Sequence, residues 1–407
     1  MLEKLFPLSQ AYIKNYNQPF RRYFLSGVGF HHRMNILIGQ RGIGKTTTLI
    51  QYLMEASDND LYTTHSLFVQ ADHYLVQNLS LYEIAEAFVM QGGRLLCIDE
   101  IHKYKNWSQE LKSIYDTFAD LRIVATGSSA LEIHKGSHDL SRRALVHKMP
   151  GMSFREFLGL EVGLELEPLS LDALVSDHPK LADAVIDQVE SKQHKIMPLF
   201  HQYLKTGYYP YFHDIQDEGL FWITLEQHIH TTVENDLLFV HPSLTGNSIK
   251  KILALLGFIR QSVPFVPDLS KLKRLVDVAD ERTLKNYLKY LEDAGLIRLL
   301  QKNTAGLKNL EKPEKIYLNN TNLLYTREPE IGTVRETFFL SQLAHSHEVT
   351  AARQGDFTVN GVYTVEVGGK NKGFSQIKDM PSSFLALDDL ERGFGSKIPL
   401  WLFGFLY

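Results

Sequence analysis

Residues 36–46 read Ile-Leu-Ile-Gly-Gln-Arg-Gly-Ile-Gly-Lys-Thr. The apolar run Ile36-Leu37-Ile38 reads as a buried strand, and a helix-forming stretch opens near Lys45 and continues through Thr46, Thr47, Thr48, Leu49 and Ile50. Between them Gly39, Gly44, Lys45 and Thr46 fill the spacing G-x-x-x-x-G-K-[ST] of a phosphate-binding loop. A polyphosphate needs several N–H donors aimed at one point and a backbone that comes very close. Glycine at 39, 42 and 44 keeps side chains out of that approach. The helix from Lys45 adds free N–H groups and the positive end of its dipole. On this reading Lys45 reaches the β- and γ-phosphates of ATP, the Thr46 hydroxyl ligates Mg²⁺, and Thr47 joins the nucleotide-binding first turn.

A second stretch belongs to the same chemistry. Arg94-Leu-Leu-Cys-Ile-Asp-Glu100 is an apolar run closed by two acids, as expected of a buried parallel strand whose carboxylates emerge at its C-terminal edge. Ligands of open α/β sheets sit at that edge. Asp99 is expected to hold Mg²⁺ and Glu100 to polarise the attacking water. Leu121–Ser129 reads as another buried strand ending in hydroxyls, with Ser128 the first candidate for sensing the γ-phosphate or placing water and Thr126 the second. Strand 66–70, helix 80–90 with a Ser80/Glu83 capping box, and helix 107–120 fill the intervals. Arg21 and Arg22 read as a solvated helix end rather than nucleotide contacts.

The bulk numbers fit a multi-domain globular protein. There are 407 residues, 44% hydrophobic and 22% charged. A net charge of −4 argues against nucleic-acid binding over the whole surface and leaves local basic patches open. The single cysteine, Cys97, excludes an internal disulfide or a thiolate metal cluster. The N-terminus lacks a signal peptide's apolar core. No apolar run approaches about 20 residues, so the expectation is a cytoplasmic protein without membrane contact.

The loop at 39–46, together with Asp99-Glu100-Ile101, Thr126-Gly-Ser-Ser129, Ser141-Arg-Arg143 and Pro150-Gly-Met-Ser-Phe-Arg-Glu-Phe157, resembles the prokaryotic AAA-like P-loop ATPases. These carry a winged helix and a C-terminal domain of restriction-endonuclease-like fold. The resemblance implies an α/β chain. A P-loop NTPase parallel-sheet domain occupies 1–160, a helical linker or lid 161–245, a winged helix 246–303 and a nuclease-like α/β domain 304–407. It also implies that Arg143 serves as an arginine finger, within the chain or across a subunit boundary. Arg142 stands where the family usually has glycine. Thr206–Phe212 resembles the family's Gly-Gly-aromatic-Pro turn and is expected to be a packing corner.

Helix, helix, helix and strand over 246–302 support the winged-helix reading. Leu284, Leu288 and Leu291 share one face of the third helix, with Arg282, Lys285, Asn286 and Lys289 largely off it. Residues 248–302 hold eleven Lys/Arg against six Asp/Glu, a local surplus that favours DNA phosphate contact. In the C-terminal domain the resemblance implies a metal site of Glu336, Asp356 and a Glu-x-Lys strand. Glu366 is followed two positions on by Gly368, so the domain is expected to be degenerate unless Lys370 or Lys372 swings in. Residues 398–407 are expected to form a buried strand.

The leading functional expectation is an Mg²⁺-dependent ATPase working as a switch on DNA or a protein partner, its oligomeric state open. The alternatives are an ATP-binding module with little turnover and a metal-dependent nuclease using residues 336–376. A helicase fits poorly, because nothing after residue 150 reads as a second motor lobe.

Overall fold

The computed structural model describes residues 1–128, 140, 142–302 and 313–407; Ser129 and Ser141 of the motifs above lie outside these. The chain forms two compact units, Met1–Pro150 with His230–Leu244, and Gly151–Ile229 with Thr245–Tyr407.

The first unit is built on five parallel strands: β1 (Met34–Gly39), β2 (Ser66–Gln70), β3 (Leu95–Asp99), β4 (Arg122–Ser128) and β5 (Leu145–Lys148), in the order β2-β3-β4-β1-β5. β3 is buried along its whole length, as a central strand covered on both faces must be. The helices packed along the sheet include α1 (Leu2–Tyr16), α2 (Lys45–Ala56), α3 (Tyr74–Gln77), α4 (Leu81–Met90) and α5 (Trp107–Thr117). α1 ends at Tyr16, short of Pro19, which pushes the residue before it out of the helical region. At the start of α4 the Ser80 hydroxyl accepts from the Tyr82 and Glu83 N–H groups. The carboxylate that meets it is Glu110 of α5, which accepts from Ser80 Oγ and the Tyr82 N–H at 3.0 Å each. Ile36, Leu67, Ile84, Phe88, Leu96, Ile98, Leu111 and Ile123 lie in the core between sheet and helices. Residues 230–244 add a π turn at Thr232–Asp236 and a short helix at Leu237–Val240.

The second unit opens with the helix Phe154–Val162, capped by Ser153 and Glu156 in a reciprocal box. Its later part holds the helices Gly246–Ser262, Leu269–Leu275 and Glu281–Asp293, then β6 (Ile297–Leu300) antiparallel to β7 (Lys315–Leu318). On the third of these helices Leu284, Tyr287, Leu288 and Leu291 are buried, while Arg282, Asn286 and Lys289 are exposed. A second five-stranded sheet follows the helix Ile331–Leu343. It comprises β8 (Val349–Ala351), β9 (Phe357–Val359), β10 (Tyr363–Gly369), β11 (Ser383–Asp388) and β12 (Lys397–Pro399). β8, β9 and β10 pair antiparallel, and β10, β11 and β12 parallel.

Two local expectations resolve differently. The strand expected over 398–407 stops at Pro399, and Leu400–Phe405 forms a fully buried 3₁₀ helix. A continuous apolar run does not separate a buried strand from a buried helical segment, and Pro399 lacks the N–H needed to continue a ladder. The turn near 206–212 is a packing corner, as expected, and a polar one. Asn322 accepts from the Tyr208 N–H at 2.9 Å and donates to the Leu204 carbonyl at 3.0 Å. A side chain at Gly151 would meet the Tyr208 ring at 2.2 Å.

Candidate active site

The loop between β1 and α2 takes its shape from its glycines. Gly42 and Gly44 adopt φ of 81° and 96°, the left-handed region that other residues enter at a cost. A Cβ at Gly39 would lie 2.7 Å from the Met149 carbonyl oxygen, so even alanine has no room there. Lys45 is buried, and its Nζ donates to the Gly39 and Gln40 carbonyls at 3.0 and 2.8 Å. Burial lowers the Lys45 pKa, against the pull of Glu100 and Asp99. Thr47 lies, half-buried, on the same first turn.

The edge of the sheet brings the acids to this loop. Thr46 Oγ1 donates to Asp99 Oδ2 at 2.8 Å, and Thr126 Oγ1 donates to the other oxygen, Asp99 Oδ1. Thr126 Oγ1 also accepts the Glu100 N–H at 3.1 Å. Glu100 itself has φ 54°, a strained setting for a non-glycine residue, and the Thr126 bond helps to hold it. Burial, and next the Glu100 charge, push the Asp99 carboxyl up to about 6; hydrogen bonds from Thr126 and Thr46 oppose the rise. Burial acts on Glu100 too, but the charges around it, Lys45 first and then Lys103, outweigh it and hold that carboxyl below its ordinary value. Lys103 Nζ lies 3.3 Å from Glu100 and 2.6 Å from Asp72. A hydroxyl and a carboxylate side by side are hard oxygen donors of the kind Mg²⁺ prefers, so Thr46 and Asp99 fit that ion.

Other residues arrive that the sequence assigned elsewhere or did not flag. Arg22 is buried, and its guanidinium donates to the Ile43 carbonyl of the loop and to the Pro150 carbonyl at 3.0 Å. The solvated helix end expected for this pair describes Arg21, which meets Glu55 on the surface, and not Arg22. Arg41, within the loop, pairs with Asp236 at 3.1 Å, and Asp236 also lies 3.7 Å from His102 Nε2. Of the two hydroxyl candidates, Thr126 links Asp99 to Glu100, while Ser128 gives its backbone N–H to His102 Nδ1 at 3.2 Å.

Arg143 sits elsewhere. Its Nε and a terminal nitrogen meet Asp116 at 2.7 and 3.0 Å. Asp116 lies on the last turn of α5, just before β4 begins, and Arg33 before β1 bonds the neighbouring Tyr115 and Ala119 carbonyls. That is the sheet edge opposite the phosphate loop, so the structure does not bring Arg143 to the loop of its own chain.

The second unit gathers its own acids. Glu336 accepts from the Tyr317 hydroxyl at 2.6 Å, and Asp356 accepts from the Val367 N–H at 2.8 Å. Lys372 folds back along β10 and places Nζ 2.5 Å from Glu366. It can do so because residue 368 is glycine: a Cβ there would lie 2.8 Å from both Cβ and Cγ of Lys372. Burial raises both the Glu336 and Glu366 carboxyls, and the Asp356 charge adds to the rise.

A family described as an AAA domain matches residues 31–158, and one described as a domain of unknown function (DUF8612) matches residues 197–329. The uncharacterized protein MJ1637 of Methanocaldococcus jannaschii is 29% identical over 187 residues, 43% of this chain; the chain spans 38% of that relative's length. Among solved structures, a Thermotoga maritima RuvB variant is 17% identical, with 73% of this chain and 89% of that one covered at a TM-score of 0.26. AMPPCP-bound DnaA from Aquifex aeolicus is 14% identical, with 71% and 88% covered at a TM-score of 0.25. TM-scores this low settle no fold by themselves. The first unit thus carries a parallel sheet and a phosphate-loop sequence at 39–46, and its residues 31–158 are similar to an AAA domain.

Proposed function

We propose that this protein binds and hydrolyses ATP with Mg²⁺ and uses the cycle as a conformational switch on DNA or a protein partner. One observation carries the reading: Thr46 and Asp99 are joined at 2.8 Å directly below the loop, with Glu100 at the same strand exit. Amides of residues 39–46 would hold the phosphates, and Lys45 would turn from the Gly39 and Gln40 carbonyls towards them. Mg²⁺ held by Thr46 and Asp99 would offset charge on the phosphate oxygens. Glu100 would accept the proton of a water whose oxygen bonds to the γ-phosphorus as the bond to the bridging oxygen breaks. Arg143, at the opposite sheet edge, would serve the nucleotide of a neighbouring copy. Phosphate release with Mg-ATP, with and without DNA, tests this against Glu100→Gln. Equal rates in the two proteins would defeat the hydrolysis reading, and stimulation by DNA would support the winged-helix reading of 246–303 through Arg282, Asn286 and Lys289.

A second reading, a metal-dependent nuclease, is favoured by Lys372. It supplies beside Glu366 the ammonium that the strand itself lacks at Gly368. Glu336, Asp356 and Glu366 would have to draw closer together than they stand to hold the metal. Plasmid nicking that needs a divalent cation and disappears in Asp356→Ala supports it; no nicking with Mg²⁺ or Mn²⁺ removes it. No helix among the described residues is long and apolar enough to cross a membrane.

A further inference from the structure

His102 has no part in the hydrolysis scheme above, yet it stands at its centre. Its side chain is 1% exposed. Nδ1 accepts the Ser128 N–H at 3.2 Å, and a backbone N–H can only donate, so in the neutral ring the proton is on Nε2. That N–H faces two carboxylates at nearly equal range, Glu100 Oε2 at 3.6 Å and Asp236 Oδ1 at 3.7 Å. Among the described residues it completes a hydrogen bond with neither. A buried N–H is seldom left without an acceptor, and a small movement of either acid would supply one. Asp236 belongs to the segment 230–244 and is held by Arg41 of the phosphate loop at 3.1 Å.

We infer that His102 is the positioning residue for Glu100 in ATP hydrolysis, and that Asp236 competes with Glu100 for its single Nε2–H. The inference rests on the ATPase reading and adds to it. The Ser128 amide at the end of β4 holds the ring in place. A hydrogen bond from Nε2 would then fix the Glu100 carboxylate against the attacking water. While Asp236 takes that proton donor, Glu100 keeps its ion pair with Lys103 but gains no hydrogen bond from His102. Arg41 sits where it can pair with Asp236 or with phosphate, so loading the loop would alter which acid His102 serves.

The test compares the full chain with His102→Leu, which removes the donor and keeps much of the volume, and His102→Gln, whose amide N–H reaches about as far. One hydrogen bond to a charged group is worth about 10- to 100-fold in rate. His102→Leu is expected to lower kcat by that factor with unchanged affinity for Mg-ATP, and His102→Gln to recover part of it. In a Glu100→Gln background the same leucine should cause no further loss, whereas a merely structural role would lower both. A second readout does not use turnover. In protein carrying ¹⁵N-histidine, the His102 Nε2 resonance should move on adding Mg²⁺ with a non-hydrolysable ATP analogue, and move less in Asp236→Asn. Normal nucleotide binding with undiminished kcat in His102→Leu, or a stationary resonance, overturns the His102 assignment alone. No thermal shift of the wild-type protein by Mg-ATP would overturn the ATPase reading, and His102 with it.

Discussion

Thr126→Val removes one oxygen and little else. The Thr126 side chain is fully buried, and its hydroxyl serves two groups at once, as donor to Asp99 and acceptor for the Glu100 N–H. Valine has the same shape, so neither a cavity nor a clash follows. The Asp99 carboxylate loses one of two hydroxyl donors, a bond to a charged group worth about 1.5–3 kcal/mol, and the Glu100 N–H is stranded at a cost of about 1–3 kcal/mol. The two losses share an atom and do not add fully, so the folded first unit should be destabilised by about 2–4 kcal/mol. For a unit of this size that is a fall of roughly 4–16 °C in melting temperature. Scanning calorimetry measures it, the relevant transition being the one that Mg-ATP moves. Loss of the Thr126 bond also lets the Asp99 carboxyl rise further above its present value near 6, leaving it protonated in a larger fraction at neutral pH. Turnover should fall at least about ten-fold, because Glu100 sits at a strained φ that this bond supports. Thr126→Ser keeps the hydroxyl and loses one methyl, for about 1 kcal/mol and near-normal turnover. Wild-type melting and wild-type phosphate release in Thr126→Val would refute the reasoning.

Lys45→Met takes an ammonium out of a buried place, where burial already disfavours its charge. Without nucleotide the melting temperature should hold or rise; the shift produced by Mg-ATP and the release of phosphate should both vanish, as differential scanning fluorimetry and a phosphate assay would show. In the second unit the buried Asp388 carboxyl is held below its ordinary value: burial pushes it up, but hydrogen bonds from His201 and Arg335 more than offset this. A depressed carboxyl adds stability that is fully present above its unfolded value of about 3.9 and is lost as pH falls through the folded value. Asp388→Asn should therefore destabilise this unit by about 3 kcal/mol at neutral pH by leaving Arg335 short of its buried partner, and the deficit should shrink below about pH 4. Urea titrations across pH measure both.

The first unit was legible where its chemistry is local. Loop, strand and helix follow one another from Met34 to Ala56, and Gly42, Gly44 and Lys45 can be read from spacing because a loop around phosphate tolerates few other residues there. Ser80 was legible as a helix start for a similar reason, since the N–H groups it accepts lie two and three positions on. Asp236 was not. It lies far downstream in a helical segment that carries no mark of its destination, and only the fold joins it to Arg41 and His102. Arg22 was assigned to a solvated helix end because a buried arginine that braces carbonyls looks, in sequence, like any arginine near a helix end. Lys372 escaped in part: two lysines could replace the missing one, and the choice depends on which flexible stem packs over Gly368.

Cys97 lies at the middle of β3, wholly enclosed, and burial pushes its thiol far above the ordinary range. A thiol that neither ionises nor meets water does not react with maleimides while the protein stays folded. As the chain has no other cysteine, the natural protein already behaves as a cysteine-free background. One cysteine introduced at an exposed place, such as Met90 on α4, would carry a dye or spin label at that position alone.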